Sequence, residues 1–152
     1  MNESDSPRSY WTDFLALAIC FIGEIVSVGG AVYVLLSEMS ITGEPVWPLP
    51  GLVLLDWALL GAAGFLIPFF SYKKHSGKWL QAFWFCTGGF LPLILLGAFS
   101  IAPLVMIALT SFLISTVLLS LRRKSKWLQS LGFLMLGAIC NLGLLLLLIS
   151  IG

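Results

Sequence analysis

Long apolar runs constrain this chain of 152 residues more than any motif it contains. A helix needs about 20 apolar residues to cross the hydrocarbon core of a bilayer, and several runs reach that length. Only 10% of the residues are charged and the mean hydropathy is +1.04, whereas a soluble domain carries roughly 25% charged residues. The sequence therefore predicts an all-α, polytopic membrane bundle surrounded by the lipid bilayer.

Five transmembrane helices are predicted, separated by glycine-rich, proline-rich and basic segments. The apolar stretch from Trp79 to Leu121 is about twice the length that one helix needs. We divide it at the segment AFSIAP, because Pro103 suits the first turn of a following helix. The predicted spans of this single membrane domain are residues 14–36, 52–71, 79–98, 102–121 and 127–149.

The positions of the basic residues predict the orientation. Seven of the eight Lys and Arg residues fall in two loops, 72–78 and 122–126, and the positive-inside rule places such loops in the cytoplasm. The amino terminus is then inside and the carboxyl terminus outside, with residues 1–13 as a cytoplasmic tail and 37–51 as an outer loop. The expected location is the cell membrane.

The tetrapeptide KWLQ occurs twice, at residues 78–81 and 126–129. Its lysines favour the cytoplasmic side and its tryptophans favour the interfacial belt. The predicted interfacial anchors are therefore Lys78, Trp79, Lys126 and Trp127. Alignment on the two copies pairs the second span with the fourth and the third with the fifth, which is consistent with a tandem repeat of a two-helix hairpin.

Glu24 is the most informative single residue, because it lies near the middle of the first span. An ionisable side chain there costs about 2.5 kcal/mol or more to insert. Since removal from water disfavours the charged form, Glu24 is predicted to be largely protonated near neutral pH. Five residues fall within about one sixth of the helix circumference and are predicted to face protein: Asp13, Cys20, Glu24, Ser27 and Ala31.

A second intramembrane acid, Asp56, is expected roughly 8 Å nearer the outer face than Glu24, so the two are not expected to share a proton. Polar residues at the depth of Glu24 are predicted on three other helices: Thr87, Thr110, Ser111 and Asn141. The candidate polar or proton site comprises Glu24, Asp56, Asn141, Thr110 and Ser27. Two interpretations stay open: hydrogen bonds that hold helices together, worth about 0.6 to 2 kcal/mol each, or a proton or cation carrier.

The third span contains TGGFLPLILLG, a candidate hinge. Pro92 cannot donate a backbone hydrogen bond, so the Gly88 carbonyl loses its usual partner, and Gly89 weakens the same turn. A kink is predicted here. Simple helix packing is the favoured role, and a hinge that lines a binding site is the alternative.

The rest of the inventory indicates no enzyme. The three cysteines stand alone in different runs, the single histidine, His75, lies in a basic loop, and no catalytic constellation occurs. We therefore expect no catalytic residue, no metal site and no cofactor. The net charge of +1 carries no nucleic-acid signature.

Two stretches, GEIVSVGG and VWPLPG, are loosely similar to the first helix and second-helix entry of the small multidrug resistance transporters. The chain departs from that pattern in its five spans and its second acid. The resemblance implies antiport, in which Glu24 exchanges a proton for a cationic or amphipathic solute. The first expectation is different: a non-enzymatic subunit or accessory of a membrane complex, or a homo-oligomer. The sequence identifies no substrate.

Overall fold

Five helices make up the described part of the chain. The structure is a computed structural model, and it describes residues 7–42, 49–74, 77–96, 101–123 and 125–151. Side chains are described for residues 11–41, 50–70, 78–95, 101–123 and 125–150. The helices are α1 (Pro7–Thr42), α2 (Leu49–Lys74), α3 (Gly77–Leu96), α4 (Ala102–Arg122) and α5 (Trp127–Ile151). The predicted all-α class is confirmed.

Four of these helices, α1, α2, α4 and α5, are long and apolar enough to cross a membrane, judged over the described residues. The third, α3, has 20 residues but carries Lys78, Gln81 and Pro92, which lower its hydropathy. This lower hydropathy is offset by packing, since most α3 side chains from Leu80 to Leu93 are buried or half-buried against other helices.

The helix ends differ from the predicted spans, most of all in α1. Helix α1 has 36 residues, so part of the predicted tail 1–13 and part of the predicted outer loop 37–51 are helical. The physical reason is that no glycine or proline interrupts the end of α1 before Gly43. Helix α4 begins at Ala102 with Pro103 in its first turn, as predicted. The first part of the AFSIAP break, residues 98–100, lies outside the described residues, as does His75.

Helices α1 to α4 form an up-and-down bundle. Helix α1 runs antiparallel to α4, because Asp13 meets Arg122 while Cys20 meets Ser115. It also runs antiparallel to α2, against which it packs along most of its length. Helix α3 packs between α2 and α4. This arrangement follows from short connections between consecutive helices.

Helix α5 lies outside this bundle against α3. The two helices run in the same direction, because contacts progress from Trp84 and Trp127 to Gly89 and Asn141. Much of α5 is exposed to the surroundings of the bundle. In a bilayer such apolar surface faces lipid at no cost.

Aromatic side chains fill the centre of the four-helix bundle. The Phe90 and Phe112 rings lie 5.2 Å apart and Phe83 meets Phe112 edge-on at 6.3 Å. Trp57 from α2 is also fully buried. Because lipid tails are as apolar as these rings, close van der Waals packing rather than exclusion of water holds this centre together.

The basic residues gather at one end of the bundle, which we call the basic end. Lys78 begins α3, Arg122 and Arg123 end α4, and Lys126 precedes α5. Asp13 near the start of α1 lies at the same end, because it pairs with Arg122. Lys78, Lys126 and Trp127 are exposed and Trp79 is half-buried.

Candidate functional site

The predicted stripe on α1 does face protein. Asp13, Cys20, Ser27 and Ala31 are buried, and Glu24 is half-buried. The exposed side chains on the opposite face of α1, such as Leu15, Ile22 and Leu36, are mainly apolar and can face lipid, so the helix turns its polar stripe inward.

Small residues bring α1 close to both of its neighbours. A β-carbon on Gly23 would lie 3.2 Å from side-chain atoms of Ser111 and Phe112 of α4. A β-carbon on Gly61 of α2 would collide with the β-carbon of Ser27. The Cys20 thiol donates to the Ser115 hydroxyl at 2.9 Å, and Ser115 donates to the Ala16 carbonyl at 2.6 Å.

Glu24 stands at the edge of this packed region without a hydrogen-bond partner. Its Oε2 atom is enclosed by the chain and accepts no hydrogen bond, and the same is true of the Ser27 hydroxyl oxygen. Buried polar groups are nearly always paired, so each exception needs an explanation. Glu24 is therefore a polar group that this single chain leaves unsatisfied.

The polar residues expected beside Glu24 bond elsewhere. Thr87 donates to the Phe83 carbonyl at 2.9 Å and lies 3.2 Å from the Thr116 hydroxyl. Thr110 and Ser111 donate to the Ile107 carbonyl of their own helix at 2.9 Å and 2.8 Å. A threonine or serine side chain in a helix always has a backbone carbonyl of the preceding turn within hydrogen-bond reach. It therefore bonds to that carbonyl and not to a more distant carboxyl group.

Asn141, expected at the depth of Glu24, has its hydrogen-bond partner on α3 and not on α1. Its Nδ2 donates to the Gly89 carbonyl at 2.6 Å, and its side chain lies beside that of Asp56. Asp56, Asn141 and Gly89 therefore meet where α2, α3 and α5 come together.

The two intramembrane acids are well separated, as predicted. Ser27 faces Gly61 and Gly30 faces Trp57, so in this antiparallel pair Glu24 is level with about Gly64. Gly64 follows Asp56 by eight residues, which corresponds to about 12 Å along the helix axis. The separation is larger than the roughly 8 Å expected from the sequence.

A cleft of about 180 Å³ opens beside Asn141 between α2, α3 and α5. Leu60, Phe85, Gly137 and Leu144 contribute to its walls. The nearby Asp56 has one carboxyl oxygen, Oδ2, that is enclosed and unpaired. The cleft is thus mainly apolar with one polar corner.

The glycines of the candidate hinge serve close packing. A β-carbon on Gly88 would collide with the Leu134 carbonyl, and one on Gly137 would collide with the Phe85 carbonyl. Gly89 supplies the carbonyl that Asn141 binds. Pro92 is buried within α3. The close contact of Gly88 with α5 supports helix packing, the favoured role of this segment. Hinge motion stays a prediction.

Polar contacts at the basic end were missed by sequence reasoning. Asp13 forms an ion pair with Arg122, and the Trp84 indole donates to the Ser120 hydroxyl at 2.8 Å. Burial, and then the charge of Arg122, lowers the pKa of the Arg123 guanidinium. The ion pair could have been found by placing α1 antiparallel to α4, since Asp13 is on the inward stripe and Arg122 ends α4.

Comparison with protein-family models, with curated proteins and with solved structures finds no match for this chain. The likeness to small multidrug resistance transporters therefore rests on the two short stretches alone. Among the described residues, no three His, Cys, Asp or Glu side chains gather where they could hold a metal ion. The three cysteines are free, with Cys20 and Cys86 buried and Cys140 exposed.

Proposed function

We propose that this protein is a non-enzymatic, multi-pass subunit of a membrane assembly, formed with further copies of itself or with other membrane chains. The observation that carries the proposal is Glu24, a half-buried acid with an enclosed, unpaired oxygen in the interior of a membrane-spanning helix. At the edge of a lone bundle this carboxyl borders lipid, where inserting an acid costs about 2.5 to 3.5 kcal/mol. A second chain over this edge would remove the penalty.

Five membrane crossings, with the amino terminus inside and the carboxyl terminus outside, form part of the proposal. The gathering of Lys78, Arg122, Arg123 and Lys126 at one end supports the orientation. Support for α3 as a crossing is its length of 20 residues and its packing against α2, α4 and α5. The shared direction of α3 and α5 is consistent with a tandem repeat of a two-helix hairpin.

Cysteine labelling tests the orientation. Ser40 near the end of α1 and Lys126 before α5 are both exposed. In intact cells, a membrane-impermeant maleimide is expected to label the Ser40→Cys variant and not the Lys126→Cys variant. After the membrane is permeabilised, it is expected to label both variants. The reverse pattern would place the amino terminus outside.

The assembly itself is tested by measuring the mass of the purified protein. Light scattering or native mass spectrometry in a mild detergent or nanodisc is expected to show a multiple of the 16.6 kDa chain, or that chain with a membrane partner. Glu24→Leu is expected to weaken the assembly, because the chain then has no unsatisfied carboxyl at its edge. Asp56→Asn is the matched control, since this acid lies beside Asn141 within the chain. A wild-type monomer would refute the proposal.

A small proton-coupled transporter with Glu24 as proton or cation carrier is the second candidate. The same unpaired oxygen favours it, since a carrier must leave its carboxyl free to exchange. Vesicles containing the protein and an internal pH dye would report proton movement when small cations are added. If Glu24→Gln abolishes this movement while the assembly stays intact, the transporter replaces the subunit as the better account. If Glu24→Gln dissolves the assembly and the wild type moves no protons, the transporter is excluded.

A further inference from the structure

Thr110 is unusual for a residue on the outer surface of a membrane bundle. It lies on an exposed stripe of α4 whose other members are apolar: Met106, Ile107 and Ile114. Its hydroxyl donates to the Ile107 carbonyl of its own helix. Among the described side chains, it is the only exposed serine or threonine at the middle depth of the bundle, because Thr12, Ser40 and Ser150 lie near helix ends.

Thr110 lies at the same depth as Glu24. Helices α1 and α4 are antiparallel, with Cys20 bonded to Ser115 and Gly23 packed on Ser111. One step forward along α1 corresponds to one step back along α4, so Glu24 is level with Thr110. The two side chains form no hydrogen bond with each other, since Thr110 points out of the bundle and Glu24 lies on the side of α1 that borders α2.

A groove of about 440 Å³ runs between α1 and α2 and continues the edge on which Glu24 stands. We call it the α1–α2 groove. Its lining is apolar: Ala31, Val32, Leu35, Met39, Gly51, Leu54, Leu55 and Ala58. Ala31 follows Glu24 by seven residues and so lies on the same face of α1, about 10 Å further along the axis. Alanine and glycine at Ala31, Gly51 and Ala58 allow a neighbouring helix to come close.

We propose that a second copy of this chain packs the exposed α4 stripe into the α1–α2 groove, so that its Thr110 pairs with Glu24. This inference rests on the proposed assembly and names its partner and its surface. A lipid acyl chain would fill the apolar groove but would bring no polar group to Glu24. A second copy brings one at the matching depth, because copies inserted by the same sequence share one orientation.

The chemistry of the pair uses groups that both side chains have available. The Thr110 hydroxyl has one donor and two acceptor positions. It can keep its bond to the Ile107 carbonyl and still accept a hydrogen bond from a protonated Glu24. Rotation about the last side-chain bond of Glu24 brings either carboxyl oxygen to the outer edge. The contact therefore gives the Glu24 carboxyl a hydrogen-bond partner without breaking a bond that the single chain already makes.

Disulfide cross-linking between two differently tagged chains tests the contact. Two pairs of positions flank it at matching depths: Phe21 with Ile114, and Val28 with Met106. One chain carries the α1 cysteine and the other carries the α4 cysteine, both with Cys140→Ala, since Cys20 and Cys86 are buried. Mild oxidation in membranes is expected to give cross-linked dimers for both pairs. The mismatched pair Val28→Cys with Ile114→Cys, displaced by about 12 Å, is expected to give none.

Thr110→Val tests the hydrogen bond at nearly constant shape. Removing one interhelical hydrogen bond is expected to weaken self-association about three- to fifteen-fold, measured by energy transfer between labelled chains in vesicles. Ile114→Val on the same stripe is the matched control and is expected to change association by less. An assembly of normal mass that shows no cross-link for either matched pair would refute this contact and leave the proposed assembly standing. A monomer would refute both.

Discussion

Replacement of Gly137 by alanine should separate α5 from α3. A β-carbon at this position would lie well inside 3.0 Å of the Phe85 carbonyl oxygen, whereas a comfortable carbon–oxygen contact is about 3.3 to 3.6 Å. The helices must therefore move apart by about 1.5 Å at the crossing. That movement would stretch the 2.6 Å bond from Asn141 to the Gly89 carbonyl beyond normal hydrogen-bond length.

The expected loss of stability combines three terms. Forcing a methyl group into a packed contact costs about 1 to 3 kcal/mol, and an interhelical hydrogen bond contributes about 0.6 to 1.7 kcal/mol. Alanine gains about 0.5 to 1 kcal/mol over glycine within a helix. The net effect of Gly137→Ala is then a loss of about 1 to 4 kcal/mol in the free energy of unfolding.

Reversible unfolding by SDS in mixed micelles, followed by circular dichroism, measures this difference. Gly132→Ala and Gly143→Ala are matched controls on the same helix, because a β-carbon at either position would meet nothing within 4 Å. Both controls are expected to be neutral or slightly stabilising. If Gly137→Ala unfolds at the same SDS fraction as Gly132→Ala, the close crossing of α3 and α5 is not what holds α5 in place.

Two further predictions concern the basic end and the cysteines. Asp13→Asn should destabilise the bundle by more than the roughly 1 kcal/mol of an exposed ion pair and by less than the 3 to 5 kcal/mol of a fully buried one, because Arg122 keeps 24% of its side-chain surface exposed. A double-mutant cycle with Arg122→Gln measures the coupling, and a value near zero would contradict the pair. A lipid-soluble maleimide should label Cys140 in the folded protein and reach Cys20 and Cys86 only after denaturation. Mass spectrometry identifies the labelled residues. Modification of Cys20 before denaturation would contradict its burial.

Periodicity in the sequence was sufficient to identify the helices and the inward face of α1. The stripe from Asp13 to Ala31 could be predicted because a helix repeats every 3.6 residues and lipid rejects polar groups. Nothing in that argument says which helix lies opposite. The contacts of Ser27 with Gly61 and of Cys20 with Ser115 depend on the order of helices around the bundle.

Depth was harder to predict than direction. Asn141 was expected at a depth similar to that of Glu24 and so within its possible reach, yet it donates to the Gly89 carbonyl and lies beside Asp56. Helices of different length and tilt place their central residues at different levels.

The composition of α3 has a consequence for how the chain enters a membrane during synthesis. Over the described residues, α3, which carries Lys78, Gln81 and Pro92, is the one helix of the five that is not apolar enough to span a membrane by its composition. Its polar groups find partners on helices made later: Trp84 bonds with Ser120 of α4, and the Gly89 carbonyl bonds with Asn141 of α5. If α3 crosses the bilayer as proposed, its stable integration is expected to wait for the arrival of α4 and α5, so that the middle of this protein is committed to the bilayer only after its later part has been translated.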